Sequence, residues 1–403
     1  MASIFIQYLL HGTTLPAASY VTSFFLATVL VDMNKEWVWL QSLVAIVGAL
    51  VGGVGSSILW VSQGTYFSCA SQLFASKEGM MVEDITSKFG GNFAFIFLVF
   101  EVIFRLLSTL LIEAAGMSWK VIFGLYSLFS ILPVIFMMNV LDLERQHNQY
   151  NLLQSGDGSR DNESEDDSDT QIHKASAALD LLKRDPKAKY LTPVNILFGL
   201  STSFGMSVLN GEVIQKVLVD PNSTYVGLYT AITSTVAAGA SLLFGRLESI
   251  HNSRFHCGKE TVLTIGAISY FLIALQFLAF PDGSYWNRIT LISIYVLLGI
   301  GRSTYEGTLR AIFADFFPSD KEGAFGIIIL FSGSASTIGY ILSVTSALKC
   351  GEVSRYCMEY SDGSIHNVLF MEIVIILMAV IAIPAIWRAV WMFRREEHQQ
   401  RSA

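Results

Sequence analysis

Two pairs of opposite charge stand in stretches that are otherwise apolar. Arg302 and Glu306 lie inside the run 288–312, and Glu101 and Arg105 lie inside the run 91–112. Both pairs are spaced i, i+4, so on a helix each pair shares one face. An ionised group at the centre of a bilayer costs about 2.5–3.5 kcal/mol on the most forgiving scale. A helix carrying two must turn them from lipid toward a bundle interior or a watery cavity. Two roles are open to Arg302 and Glu306: a structural ion pair that satisfies two half-buried charges, or an ion- or anion-binding position. The same cost applies to Glu101 and Arg105, and both pairs are expected to face one central cavity from opposite halves of the chain. Gln63 and Tyr66, placed near the inner end of a 39–61 helix, are the remaining cavity candidates. Interhelical hydrogen bonds of their kind contribute only about 0.6–2 kcal/mol, so packing explains them better than solute contact does. Arg310 and Asp315 are expected at the cytosolic interface, where long side chains reach water cheaply.

Searches for other chemistry return nothing. The chain has no GxxxxGK[ST] phosphate loop, HExxH pair, GxSxG elbow or GxGxxG turn. Its four cysteines, Cys69, Cys257, Cys350 and Cys357, do not cluster at metal-ligand spacing. No enzyme, metal or cofactor is expected, and any solute movement would draw on gradients. No basic face suggests nucleic acid.

The elements that must position these charges are membrane helices. Of 403 residues, 52% are hydrophobic and 15% charged, where a soluble domain carries about 25% charged residues. Mean hydropathy is +0.51. Apolar runs of about 20 residues, the length that crosses a bilayer, are expected at 14–32, 39–61, 91–112, 119–140, 190–211, 225–247, 262–280, 288–312, 323–346 and 367–390. No secretory leader pattern precedes the first run, which is expected to serve as its own insertion signal. The fold class is therefore an all-α integral membrane bundle of about ten helices. Residues 1–140 form a half-bundle of four helices, 141–189 a cytosolic disordered linker, 190–392 a half-bundle of six, and 393–403 a cytosolic tail.

The linker follows from composition. Gly156–Thr170 is acidic, rich in serine and without apolar residues, so it cannot bury a core. Ile172–Lys189 turns basic and weakly amphipathic, which suits either a solvated tether or a helix lying on an anionic membrane face. With the linker cytosolic, Arg246, Arg254 and Lys259 near the 247–261 connection, and Arg388, Arg394 and Arg395 in the tail, fall on the same side. That satisfies the positive-inside bias. The Asn222-Ser223-Thr224 sequon then faces outward as a glycosylation site. Cys350 and Cys357 share an outward loop, where a disulfide can form.

A degenerate repeat relates the halves. Gly53 and Gly55, Gln63-Gly64-Thr65 and Lys77-Glu78-Gly79 recur in the same order as Gly299 and Gly301, Glu306-Gly307-Thr308 and Lys321-Glu322-Gly323. Each set is placed at the end of a helix that two further helices follow, as expected of two parallel repeats of the major facilitator type. Three runs then resemble the Unc-ninety-three-like branch of that superfamily: Leu59–Gln72 (LWVSQGTYFSCASQ), Ser241–Ser249 (SLLFGRLES) and Leu298–Gly326 (LGIGRSTYEGTLRAIFADFFPSDKEGAFG). The resemblance covers most of the chain after about residue 40. It implies twelve helices, of which the first two are expected to be missing here through truncation, an alternative start or divergence. It also implies one of two functions. The first is regulation or chaperoning of an ion channel or other membrane protein such as a receptor. The second is secondary transport of an ion or small solute through a central cavity. A plasma-membrane or endomembrane location fits both.

Overall fold

The computed structural model describes residues 18–31, 33, 37–132, 135, 167–219, 224–249, 257–280, 285–344, 358–359, 365–366 and 369–402. Asn222, Cys350 and Cys357 lie outside them, as do the acidic centre of the linker before Asp167 and the chain's first seventeen residues.

The described residues form helices. In chain order these are α1 (Ala18–Val31), α2 (Val38–Glu78), α3 (Val82–Glu113), α4 (Trp119–Phe129), α5 (Asp167–Arg184), α6 (Pro186–Val217), α7 (Thr224–Ser249), α8 (Lys259–Ala279), α9 (288–316), α10 (Lys321–Val344) and α11 (Leu369–Ser402). Seven of them are long and apolar enough to cross a membrane, and α1 and α4 are shorter apolar helices. Each run expected to span overlaps a helix over its described residues, and seven of the ten, all but 14–32, 119–140 and 288–312, fall on the seven spanning helices. The one strand pairing described is a two-residue antiparallel bridge, Met358 opposite His366 and Glu359 opposite Ile365, in the loop before α11.

Several boundaries depart from expectation for identifiable reasons. The second helix does not stop at 61 but runs on to Glu78, because no proline or glycine pair intervenes, and it ends where Gly79 takes φ +65. Gln63 and Tyr66 therefore stand well inside a helix rather than at its inner end. The related triplet Lys321-Glu322-Gly323 opens a helix instead of closing one, since Pro318 forces a break just after Phe317. The repeat is thus out of phase at its third element.

The linker expectation is corrected in its second half. Residues 167–184 are helical, as is the chain from Pro186 onward. Asp185 caps α6 by accepting from the Lys187 amide at 2.8 Å, with Pro186 in the first turn. Leu181 on α5 is buried. Ala177 and Ala178 lie against Gly323 and Gly326 at the start of α10, so small residues on both sides seat the helix. The tail at 393–403 likewise continues α11 as helix to Ser402.

Two compact units emerge, residues 1–74 with 107–172, and residues 75–106 with 173–403. This division by packing runs differently from the expected halves, because 75–106, most of α3, clusters with the C-terminal helices. In the first unit α1 meets α4 through a Thr22–Ser127 hydroxyl contact of 2.7 Å. In the second, α6 packs on α10 and α11, α7 on α9, and α8 on both α9 and α11. Ala94 and Leu98 of α3 pack on Ala237 and Ala238 of α7.

Close approach depends on missing side chains. A Cβ on Gly91 would stand 2.7 Å from the Ser241 carbonyl of α7, and one on Gly199 of α6 would stand 2.2 Å from the Ser332 carbonyl of α10. Overpacking of this kind costs about 1–3 kcal/mol. Gly53 of α2 has nothing within 4 Å of that position. In detergent melting experiments Gly91→Ala and Gly199→Ala are expected to lower the melting temperature, and Gly53→Ala to leave it unchanged.

Candidate functional site

The charged residues meet on α3 and α9. At Thr304–Leu309 the winding of α9 widens to a π-helix, a feature often found where a helix carries function. Arg302 stands just before that stretch, Glu306 inside it and Arg310 just after it. The side-chain oxygen of Asn287 caps the helix start, accepting from the amides of Ile289 and Thr290 at 2.9 and 3.2 Å.

Arg302 reaches across to α3. Its two terminal nitrogens donate to Glu101 Oε1 at 2.8 Å and Oε2 at 2.6 Å, the bidentate fork that gives the strongest guanidinium–carboxylate geometry. Glu101 also accepts from Arg105 Nε at 2.8 Å and from Ser234 Oγ of α7 at 3.2 Å. Three helices thus meet on one carboxylate. The Arg302 guanidinium lies 6.0 Å from the centre of the Phe97 ring.

Glu306 pairs forward, accepting from Arg310 at 3.1 Å, while Arg302 Nε stays 4.0 Å away. The expected Arg302–Glu306 pair is present as a long contact, and the closer partner of Arg302 is Glu101. The guanidinium can take only one geometry, and the carboxylate on α3 satisfies two of its donors at once where Glu306 satisfies none well. The charges form one alternating line: Arg105, Glu101, Arg302, Glu306, Arg310.

Arg310 and Asp315, further along α9, are both buried among neighbouring helices. Arg310 lies 5.7 Å from the Phe93 ring. Asp315 accepts from Thr86 of α3 at 2.8 Å and forms an ion pair with Lys259 of α8. Lys259 also donates to the Glu83 carbonyl at 3.0 Å and to Thr86 at 3.1 Å.

Buried Glu248 of α7 completes this inner region, accepting from Thr308 at 2.6 Å. Neither Glu248 nor Lys259 was singled out from the sequence as a site residue. Each stands near the end of an apolar run beside another charge, Glu248 after Arg246 and Lys259 before Glu260, and its partner lies far along the chain. The only local hint is that Glu248 ends the run SLLFGRLES.

A cavity of about 340 Å³ opens below, lined by Glu83, Glu248, Lys259, Asp315 and Arg394 among others. Gln63 and Tyr66 belong to the first compact unit, on α2, where Tyr66 is exposed. Among the described residues no group of three or more His, Cys, Asp or Glu side chains is arranged to hold a metal.

A family described as ion channel regulatory protein UNC-93 matches residues 2–351. The chain belongs to that family. Protein unc-93 homolog A of Bos taurus is 21% identical over 342 residues, which are 76% of this chain and 69% of the relative. UNC93-like protein 3 of Arabidopsis thaliana is 23% identical over 318 residues, 72% of this chain and 60% of the relative. The chain thus spans roughly two thirds of the length of these UNC-93 relatives. Among solved structures, the major facilitator superfamily proton:xylose symporter XylE, bound to 6-bromo-6-deoxy-D-glucose, superposes with a TM-score of 0.56. It is 13% identical, over 94% of this chain and 84% of that one. At that identity the likeness establishes the fold alone. The protein is an integral membrane protein of the UNC-93 family with a major facilitator fold.

Removing one member of a buried ion pair costs about 3–5 kcal/mol, because the other charge is left desolvated, while removing both costs much less. Arg302 and Glu101 keep about one fifth of their side-chain surface exposed (20% and 17%), so the lower end applies. In a double-mutant cycle read by thermal melting, Glu101→Gln is expected to destabilise more than Glu101→Gln with Arg302→Gln. Additive losses would show that the two helices are not coupled through this contact.

Proposed function

We propose that this protein acts as a membrane-embedded regulatory or chaperone subunit for an ion channel or another membrane protein such as a receptor. The observation that carries the proposal is the closed state of the charge network. Glu101 is engaged by Arg302, Arg105 and Ser234 together, and Glu306 by Arg310. Charges that answer one another across α3, α7 and α9 stiffen a scaffold, whereas a solute site needs donors or acceptors held open for its ligand. The family to which the chain belongs supports the same class of activity.

In this proposal the ordered end of the linker and the α11 extension face the cytosol, where Arg246, Lys259, Arg388, Arg394 and Arg395 satisfy the positive-inside bias. Both offer surface to a partner. The membrane is the plasma membrane or an endomembrane.

A second role, gradient-driven movement of an ion or small solute, is favoured by one observation. Three guanidiniums (Arg105, Arg302, Arg310) and two carboxylates (Glu101, Glu306) alternate along one line, an arrangement able to pass a charged solute from one group to the next. Co-expression with candidate channels separates the two. The regulatory role predicts altered current density or surface abundance of a co-purifying channel, with no sodium, potassium or chloride flux in proteoliposomes. A gradient-dependent flux that Glu306→Gln abolishes would replace it with the transport role.

A further inference from the structure

The C-terminal end of α11 carries a group of side chains that the charge network does not use. From Ile373 to Trp387 the helix is uncharged, and Arg388 is the first charge after Glu372. At 1.5 Å per residue those two positions stand about 24 Å apart along the axis, comparable with a hydrocarbon core of about 30 Å. Arg388 therefore marks the level of the lipid headgroups. Trp387 and Trp391 are each 47% exposed at the level where an aromatic belt is expected. The Trp387 indole N–H donates to Thr264 Oγ1 of α8 at 3.1 Å, which fixes the ring against its neighbour.

Trp391 gathers two guanidiniums. The Arg388 guanidinium carbon lies 4.4 Å from the ring centre and that of Arg395 lies 5.4 Å from it. Neighbouring cations are already neutralised: Arg394 donates to Glu260 at 2.6 Å, and Lys187 pairs with Glu396. Among the described residues, no carboxylate pairs with Arg388 or Arg395. A cation–π contact uses none of the guanidinium's N–H donors, so they remain available to a further acceptor. Those groups form the rigid fork that matches two oxygens of a phosphate.

We propose that Arg388 and Arg395, held on Trp391, bind the phosphate of an anionic phospholipid headgroup in the leaflet at the C-terminal end of α11. In the orientation proposed above this is the cytosolic leaflet, whose anionic lipids attract juxtamembrane arginines. The site is independent of whether the protein regulates a partner or moves a solute.

Native mass spectrometry of the detergent-solubilised full chain, titrated with phosphatidylglycerol or phosphatidylcholine, tests the proposal. Phosphatidylglycerol is expected to bind in preference to phosphatidylcholine. Arg388→Gln with Arg395→Gln is expected to lose that preference by about twenty- to thirtyfold, two contacts of the usual juxtamembrane strength. Lys183→Gln with Lys189→Gln removes the same charge from the same end of the bundle and is expected to retain it. If the double glutamine variant does not fold, Arg388→Lys with Arg395→Lys keeps the charge and removes the fork, and weaker phosphatidylglycerol binding is expected. The proposal is overturned if wild type binds both lipids equally, if the arginine variants bind like wild type, or if the lysine control loses as much. Saturation of the site by glycerol phosphate at matched concentration would overturn it too, by assigning the arginines to soluble phosphate.

Discussion

A guanidinium in the middle of a membrane protein has to be met by something, and here Glu101 meets it. The fork between Arg302 and Glu101 ties α3 to α9 over two hundred residues of sequence, and Ser234 brings α7 to the same carboxylate. Much of the neighbouring structure serves that contact. α3 can come close only because Gly90 stands against Gly307, and Gly91 against Gly245. Ala94 and Leu98 against Ala237 and Ala238 then fill the seam. Small residues bring the backbones near enough for the charges to touch. The contact in turn repays the desolvation that burial imposes.

A second set of ion pairs repeats this logic at the helix ends. Lys259 joins α8 to Asp315 of α9 and to the start of α3, Arg394 joins α11 to α8, and Lys187 joins α6 to α11. Each pairs helices distant in sequence, so helix ends that would otherwise be free to splay are held. The ordered end of the linker is drawn into the same belt through Arg184 and Asp320. This pair is largely exposed, and pairs of that kind contribute about 0–1 kcal/mol. The buried Leu181 and the glycine–alanine contacts hold α5 more firmly than the charge does.

The membrane class, the helical runs and the exceptional placement of Glu101, Arg105, Arg302 and Glu306 were legible in the residues, because burying a charge in lipid is costly wherever the chain folds. Helix ends were less legible. Nothing between 61 and 78 breaks a helix, so α2 ran on, and Pro318 turned what looked like a helix end into a helix start. The helix of the linker was obscured by the acidic segment before it, although Ala177, Ala178 and Leu181 are the residues that seat it.

What the amino-acid sequence determined by itself was which groups could not face lipid, because that depends on each side chain's solvation alone. Which groups they face instead was decided only by the tertiary structure. Local spacing favoured Glu306 as the partner of Arg302, one turn away on the same helix. Packing of α3 against α9 supplied a carboxylate with better geometry, and a fork that fits two oxygens prefers alignment over proximity in sequence. Asp315 with Lys259, and Glu248 with Thr308, were set in the same way, by helices meeting whose residues carry no local sign of one another.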